Sequence, residues 1–70
     1  MFRYLVVFEK TGSGYSAFVP DLPGCIATGP DKPSAEQAIY EAIQLHIEGL
    51  KEEDADIPAG KAESEILLFS

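Results

Sequence analysis

The 70-residue chain lacks the disulfide bonds that stabilise many small proteins. Cys25 is its only cysteine, so no disulfide can form within the chain, and a lone cysteine fits a reducing, intracellular setting. The apolar segment at residues 5–8 is too short for a signal peptide, and nothing approaches the length of a membrane span. We therefore expect a cytoplasmic protein with no membrane contact.

Basic residues are also scarce. Five Lys and Arg stand against 12 Asp and Glu, which gives a net charge of −7. Residues 1–35 are balanced, with three acidic and three basic side chains, so residues 36–70 carry the whole excess. A field of this sign repels phosphate backbones and attracts basic partners. The acidic half is either a solvated surface or a docking surface for a basic protein.

The residue pattern predicts an α+β fold with a three-stranded antiparallel sheet, one helix and then a fourth strand. The strands are expected at residues 2–9, 15–19, 25–28 and 65–69, where apolar, aromatic and β-branched residues recur. The helix is expected to begin after an Asp31 N-cap and to end near Lys51. Its apolar stripe consists of Ala35, Ala38, Ile39, Ala42, Ile43, His46, Ile47 and Leu50.

A proline loop separates the second and third predicted strands. The loop consists of Pro20, Asp21, Leu22, Pro23 and Gly24. Neither proline can donate to a sheet ladder, and the glycine accepts backbone angles that are closed to other residues. The loop is predicted to hold one fixed shape, with the leucine as an anchor on the core and Asp21 bonding its own backbone.

These segments together resemble the HicB-type antitoxin domain. The resemblance rests on residues 4–9, on 15–17, on the proline loop with Cys25, and on the helical motifs at 41–43 and 45–50. It implies a pared-down ribonuclease H-like fold over a single domain of residues 1–70. It also implies a small basic HicA-type ribonuclease toxin as the partner. We expect no DNA-binding domain and no direct DNA binding, because the charge is of the wrong sign.

The candidate partner-binding residues are four acidic side chains in and after the predicted helix, namely Glu41, Glu48, Glu52 and Glu53. No catalytic residue, metal ligand or cofactor site is predicted. Cys25 and His46 could form a nucleophile–base pair, but no third group to orient them is evident. The alternatives are a metal-dependent nuclease that uses acids such as Glu9 and Asp21, or an orphan scaffold domain.

The predicted sheet also implies an assembly. The first and last predicted strands carry apolar residues on both faces, whereas one amphipathic helix covers only one face of a small sheet. An exposed apolar face favours association. We therefore expect a homodimer or a higher homo-oligomer.

Overall fold

The computed structural model describes residues 1–70 and contains three strands followed by one helix. The elements are β1 (Val7–Lys10), β2 (Tyr15–Phe18), β3 (Ile26–Gly29) and α1 (Lys32–Glu52). The sheet has the order β1-β2-β3, and both strand pairs are antiparallel. The predicted order of three antiparallel strands and a helix is therefore confirmed.

The register of the sheet sorts its side chains into two faces. Phe8, Ala17 and Ala27 lie opposite one another across the three strands, and all three pack in the hydrophobic core. Ala17 is completely buried, and its small side chain lets α1 approach the sheet closely. We call this side the helix face. The other side, the open face, carries Val7 and its cross-strand neighbours Phe18 and Ile26.

The proline loop between β2 and β3 consists of two successive turns. The N–H of Leu22 donates to the carbonyl oxygen of Val19 at 3.1 Å, and the N–H of Cys25 donates to the carbonyl oxygen of Leu22 at 3.0 Å. Each turn has a proline at its second position, where a fixed φ is favourable. Gly24 adopts a φ of +82°, which the second turn requires. These turns drive Leu22 into the core, where it has no exposed surface.

Asp31 is the N-cap of α1, and the C-cap Glu53 is followed by Asp54 in a left-handed conformation. The Oδ1 atom of Asp31 accepts a hydrogen bond from the N–H of Ser34 at 2.8 Å, as an N-cap residue does. Hydrogen bonds from Ser34 hold the pKa of Asp31 below its usual value. At the other end Asp54 has a φ of 55°, and the N–H of Ala55 reaches back to the carbonyl oxygen of Leu50 at 2.9 Å. This is the left-handed helix ending usually made by glycine.

The predicted fourth strand at residues 65–69 is absent. Residues 55–70 have no regular secondary structure, and the apolar side chains of 66–69 are exposed. A strand exists only when its backbone groups are paired with a neighbour, and this segment pairs with no strand of the chain. The ribonuclease H-like part of the expectation therefore stays a prediction. The first strand is also shorter than predicted, since its ladder begins at Val7 rather than at residue 2.

We expect Leu22→Ala to lower the free energy of unfolding by about 2–5 kcal/mol, because it leaves a cavity in a fully packed site. Urea denaturation followed by circular dichroism measures this loss. Leu45→Ala is the matched control, since Leu45 is 69% exposed and its truncation leaves no cavity. Equal stability of the two variants would contradict the anchoring role of Leu22.

Candidate partner-binding site

Three acidic side chains form a row along the outer side of α1. Glu41, Glu48 and Glu52 are exposed and stand seven and four residues apart, so each returns to nearly the same side of the helix. The buried residues of the helix, Ala35 and Ile39, lie toward the opposite side. We call these three glutamates the acidic row. It faces away from the sheet and is open to an approaching partner.

Further acidic residues extend the acidic row past the end of the helix. Glu53, Asp54 and Asp56 follow it, and all three are exposed. The C-terminal end of a helix carries the negative pole of its dipole, where acidic side chains are unfavourable and basic ones favourable. Lys51 is the one basic residue in the last turn. The accumulation of acids here therefore does not serve the stability of α1.

Two apolar side chains are exposed next to the acidic row. Leu45 is 69% exposed and lies on the same side of α1, between Glu41 and Glu48, while Tyr40 is 59% exposed. Aromatic and large apolar residues surrounded by charge are typical of protein–protein interfaces. Neither residue is among the side chains that the sequence predicted to bind a partner. Their signal was present, since both fall outside the predicted apolar stripe.

The proline loop also holds the segment that follows α1. The Oδ2 atom of Asp21 accepts hydrogen bonds from the N–H groups of Lys61 and Ala62, both at 2.9 Å. The hydroxyl of Tyr4 donates to the carbonyl oxygen of Pro58 at 2.6 Å. We call these contacts the clamp. The expectation that Asp21 bonds its own backbone is wrong, because the carboxylate is turned toward a segment 40 residues further along the chain.

Burial, and secondly the negative charge of Asp21, raise the pKa of Tyr4 above its usual value of 10.0. Both effects favour the neutral hydroxyl, which is the form that donates to Pro58. Since the folded-state pKa is raised, the contribution of Tyr4 to stability is present below pH 10 and is lost as the pH rises through the folded pKa. The hydrogen bond from Tyr4 to Pro58 is therefore intact at neutral pH.

The candidate chemical groups are dispersed. Cys25 lies in the core, where burial raises the pKa of its thiol and so disfavours the reactive thiolate. His46 is half-buried on α1, and Glu9 is exposed in β1. No three His, Cys, Asp or Glu side chains lie close enough together to hold a metal ion.

The one helix is too polar to cross a membrane.

Comparison with known proteins identifies the family. The family described as HicB-like antitoxin of bacterial toxin-antitoxin systems matches residues 4–67. This match includes the three strands, the proline loop, α1 and the clamp. The chain therefore belongs to the HicB-like antitoxin family, and the resemblance inferred from its motifs is confirmed.

Curated relatives agree with this assignment. An uncharacterized 14.9 kDa protein of Haemophilus phage HP1 is 42% identical over 55 residues, which are 79% of this chain and 41% of the relative. The chain thus spans less than half the length of the phage protein. A UPF0150 protein of Synechocystis is 42% identical over 59 residues, which cover 83% of this chain and 75% of that protein.

A solved structure has the same fold. A chain in a complex described as a HicA3 and HicB3 toxin-antitoxin complex superposes with a TM-score of 0.72. The sequence identity is 28%, and the match covers 86% of this chain and 70% of the other. The fold is thus one that occurs in a toxin-antitoxin assembly.

We expect Asp21→Ala to release the segment that the clamp holds. Hydrogen bonds to a charged group contribute about 1.5–3 kcal/mol, so amide hydrogen exchange at Lys61 and Ala62 should become about tenfold faster or more. NMR-detected exchange measures this at single residues. Asp56→Ala removes an exposed carboxylate and serves as the control. Unchanged exchange at both amides in Asp21→Ala would refute the clamp.

Proposed function

We propose that this protein is an antitoxin that binds a small basic HicA-type ribonuclease and neutralises it by protein–protein contact. The observation that carries the proposal is the acidic row on the outer side of α1 in a member of an antitoxin family. A toxin that binds RNA needs a positive surface for the phosphate backbone. The acidic row offers such a surface a competing set of negative charges.

Electrostatic attraction explains the encounter between the two proteins. The net charge of −7 comes entirely from residues 36–70, which include the acidic row. Complementary fields raise association rates from about 10⁵–10⁶ to as much as about 10⁸–10⁹ M⁻¹s⁻¹ at low salt. The attraction acts over roughly 8–10 Å at moderate ionic strength. It therefore guides the approach of the two proteins and contributes less to the stability of the complex once formed.

The exposed apolar residues slow the dissociation of the complex. Leu45 lies beside the acidic row, and Tyr40 is exposed on an adjoining side of α1. A partner that docks over both sides would remove both side chains from water. Full burial of such a side chain contributes about 1.5–3 kcal/mol. Residues of this kind act mainly on the dissociation rate, whereas exposed charges act mainly on the association rate. The acidic side chains thus set mainly the association rate, and the apolar side chains set mainly the dissociation rate.

The protein acts by occupying the toxin and catalyses no reaction itself. Three features support this part of the proposal: the Cys25 thiol is buried, Glu9 is exposed at the end of β1, and the carboxylate of Asp21 is engaged by two backbone N–H groups. The negative charge of residues 36–70 supports a protein that does not bind DNA through these residues. The lone cysteine supports a reducing, cytoplasmic setting.

The nuclease alternative has a direct test. The purified protein is incubated with RNA and with an RNA–DNA hybrid in the presence of magnesium or manganese. The proposal predicts no cleavage of either substrate. Metal-dependent cleavage that disappears in both Glu9→Gln and Asp21→Asn would establish a carboxylate-based nuclease and overturn the proposal.

Reversing the charge of the acidic row should slow association with the toxin. For Glu41→Lys, Glu48→Lys and Glu52→Lys combined, we expect the association rate to fall about tenfold or more at low salt. The dissociation rate should change by less than about threefold. Surface plasmon resonance against a purified basic HicA-type ribonuclease measures both rates, and inhibition of RNA cleavage by that ribonuclease reports neutralisation.

A variant with the same net charge separates local from global effects. Glu9→Lys, Glu36→Lys and Glu65→Lys combined also reverse three exposed acids, but these residues lie outside the acidic row and its extension. Their association rate should stay closer to that of the unmodified protein. Equal losses in the two triple variants would show that net charge alone drives the encounter and would remove the acidic row as the binding site.

A further inference from the structure

One carboxylate of the acidic row, that of Glu41, is held in place by another side chain. The Nε2 atom of Gln37 donates a hydrogen bond to the Oε2 atom of Glu41 at 2.9 Å. The two residues stand four apart on α1, so their exposed side chains meet on its surface. The other side-chain hydrogen bonds of the chain involve neither Glu48 nor Glu52. Glu41 is therefore the oriented member of the acidic row.

The group that holds Glu41 is uncharged. A lysine or arginine at the same spacing would also bond the carboxylate, but its positive charge would offset the negative charge that attracts a basic partner. The amide of Gln37 orients the carboxylate and leaves its charge in place. A carboxylate has about four lone-pair sites, and Gln37 occupies one of them. Sites remain for a cationic side chain of a partner.

A second glutamine on α1 shows that spacing alone does not produce this hydrogen bond. Gln44 also precedes a member of the acidic row, Glu48, by four residues, but it makes no hydrogen bond to it. The basic residue Lys51 follows Glu48 by three residues and can face it on the helix surface. From Glu41, the same lysine is about 15 Å away along the helix axis. Glu41 is thus both oriented and remote from the positive charge at the end of α1.

Glu41 also lies beside the exposed apolar residues. Leu45 follows it by four residues on the same side of α1, and Tyr40 precedes it on an adjoining side. When a partner covers these side chains, water leaves the neighbourhood of the carboxylate and its attraction to a cation becomes stronger. The orientation of this carboxylate consequently matters more for docking than that of Glu52 at the far end of the row.

Orientation before contact increases the fraction of encounters that lead to docking. An exposed glutamate without a partner samples several rotamers, and only some of them present the carboxylate as the bound state requires. The apparent affinity is reduced by the fraction of the protein that has the required conformation. For one immobilised side chain this reduction is about two- to tenfold. A hydrogen bond that selects the rotamer in advance removes part of it.

We propose that Gln37 is a positioning residue of the partner-binding site. It holds the Glu41 carboxylate in the orientation that receives a cationic side chain of the partner, and it does so without offsetting the charge. This inference rests on the proposed function, in which the acidic row meets a basic ribonuclease. It adds a neutral residue to a surface that was otherwise defined by charge and apolar area.

Two substitutions at position 37 separate orientation from charge. Gln37→Ala removes the donor and leaves the net charge at −7. Gln37→Lys keeps a donor four residues before Glu41 but adds a positive charge. Alanine and lysine are both good helix formers, so the helix content measured by circular dichroism should be unchanged. The association rate with a purified basic HicA-type ribonuclease is measured at about 0.05 M and about 0.5 M salt, since the Debye length is roughly 10 Å at 0.1 M.

The two variants should differ in their dependence on salt. We expect Gln37→Ala to associate about threefold more slowly than the unmodified protein at both salt concentrations, because the loss of orientation is not screened. Gln37→Lys should be slower at low salt and should regain the unmodified rate at high salt, where its extra charge is screened. Gln44→Ala is the matched control and should leave the association rate unchanged. In a Glu41→Ala background, Gln37→Ala should have no further effect, since Gln37 acts through Glu41.

The mobility of the two glutamine side chains tests the positioning in the free protein. Nitrogen-15 relaxation of the side-chain NH₂ groups should give Gln37 a higher order parameter than Gln44. Glu41→Ala removes the acceptor, so the value of Gln37 should fall to that of Gln44. Equal mobility of the two side chains in the unmodified protein would overturn the proposal.

The binding results distinguish failure of this proposal from failure of the proposed function. Equal association rates for the unmodified protein and Gln37→Ala would exclude the positioning role and leave the acidic row as the binding site. A further loss from Gln37→Ala in the Glu41→Ala background would also overturn the proposal, because it would show that Gln37 contacts the ribonuclease directly. Absence of any binding by the unmodified protein would instead refute the proposed function, and this inference with it.

Discussion

The burial of Leu22 is the contact on which the other parts of the structure depend. The chain has only six buried residues, and Leu22 is one of the two largest side chains among them that are completely buried. Its position is set by two turns, each with a proline at its second position. The same loop places Cys25 in the core and Asp21 at the clamp. One short rigid segment therefore connects β2, β3 and the end of the chain.

The small core imposes a second constraint. One helix covers one face of a three-stranded sheet, and Ala17 and Ile39 meet there with almost no exposed surface. A chain of this size buries only about 60% of the surface of its unfolded state, so it has little apolar burial to spare. Ile26 on the open face and the apolar side chains of residues 66–69 consequently remain in water. Contact with another molecule would be one physical means of covering them.

The charges at the two ends of α1 have opposite effects on the stability of the helix. Aspartate at the N-cap favours the helix, and the N–H of Ser34 satisfies it. Acids at the opposite end act against the helix dipole, and Asp54 adopts a left-handed conformation that glycine adopts more easily. Both features of the C-terminal end lower helix stability. The proposed attraction of a basic partner would account for the negative charge that accumulates there.

Local patterns determined the three strands, the helix and its Asp31 cap, because periodicity, turn chemistry and capping act over a few neighbouring residues. The family was also readable from such motifs. The tertiary structure alone decided where Asp21 points and which apolar residues stay uncovered. The partner of Asp21 lies 40 residues away, and residues 65–69 have a strand pattern but no neighbouring strand in the chain. Pairing over long distances depends on what the whole fold places nearby, which no local pattern records.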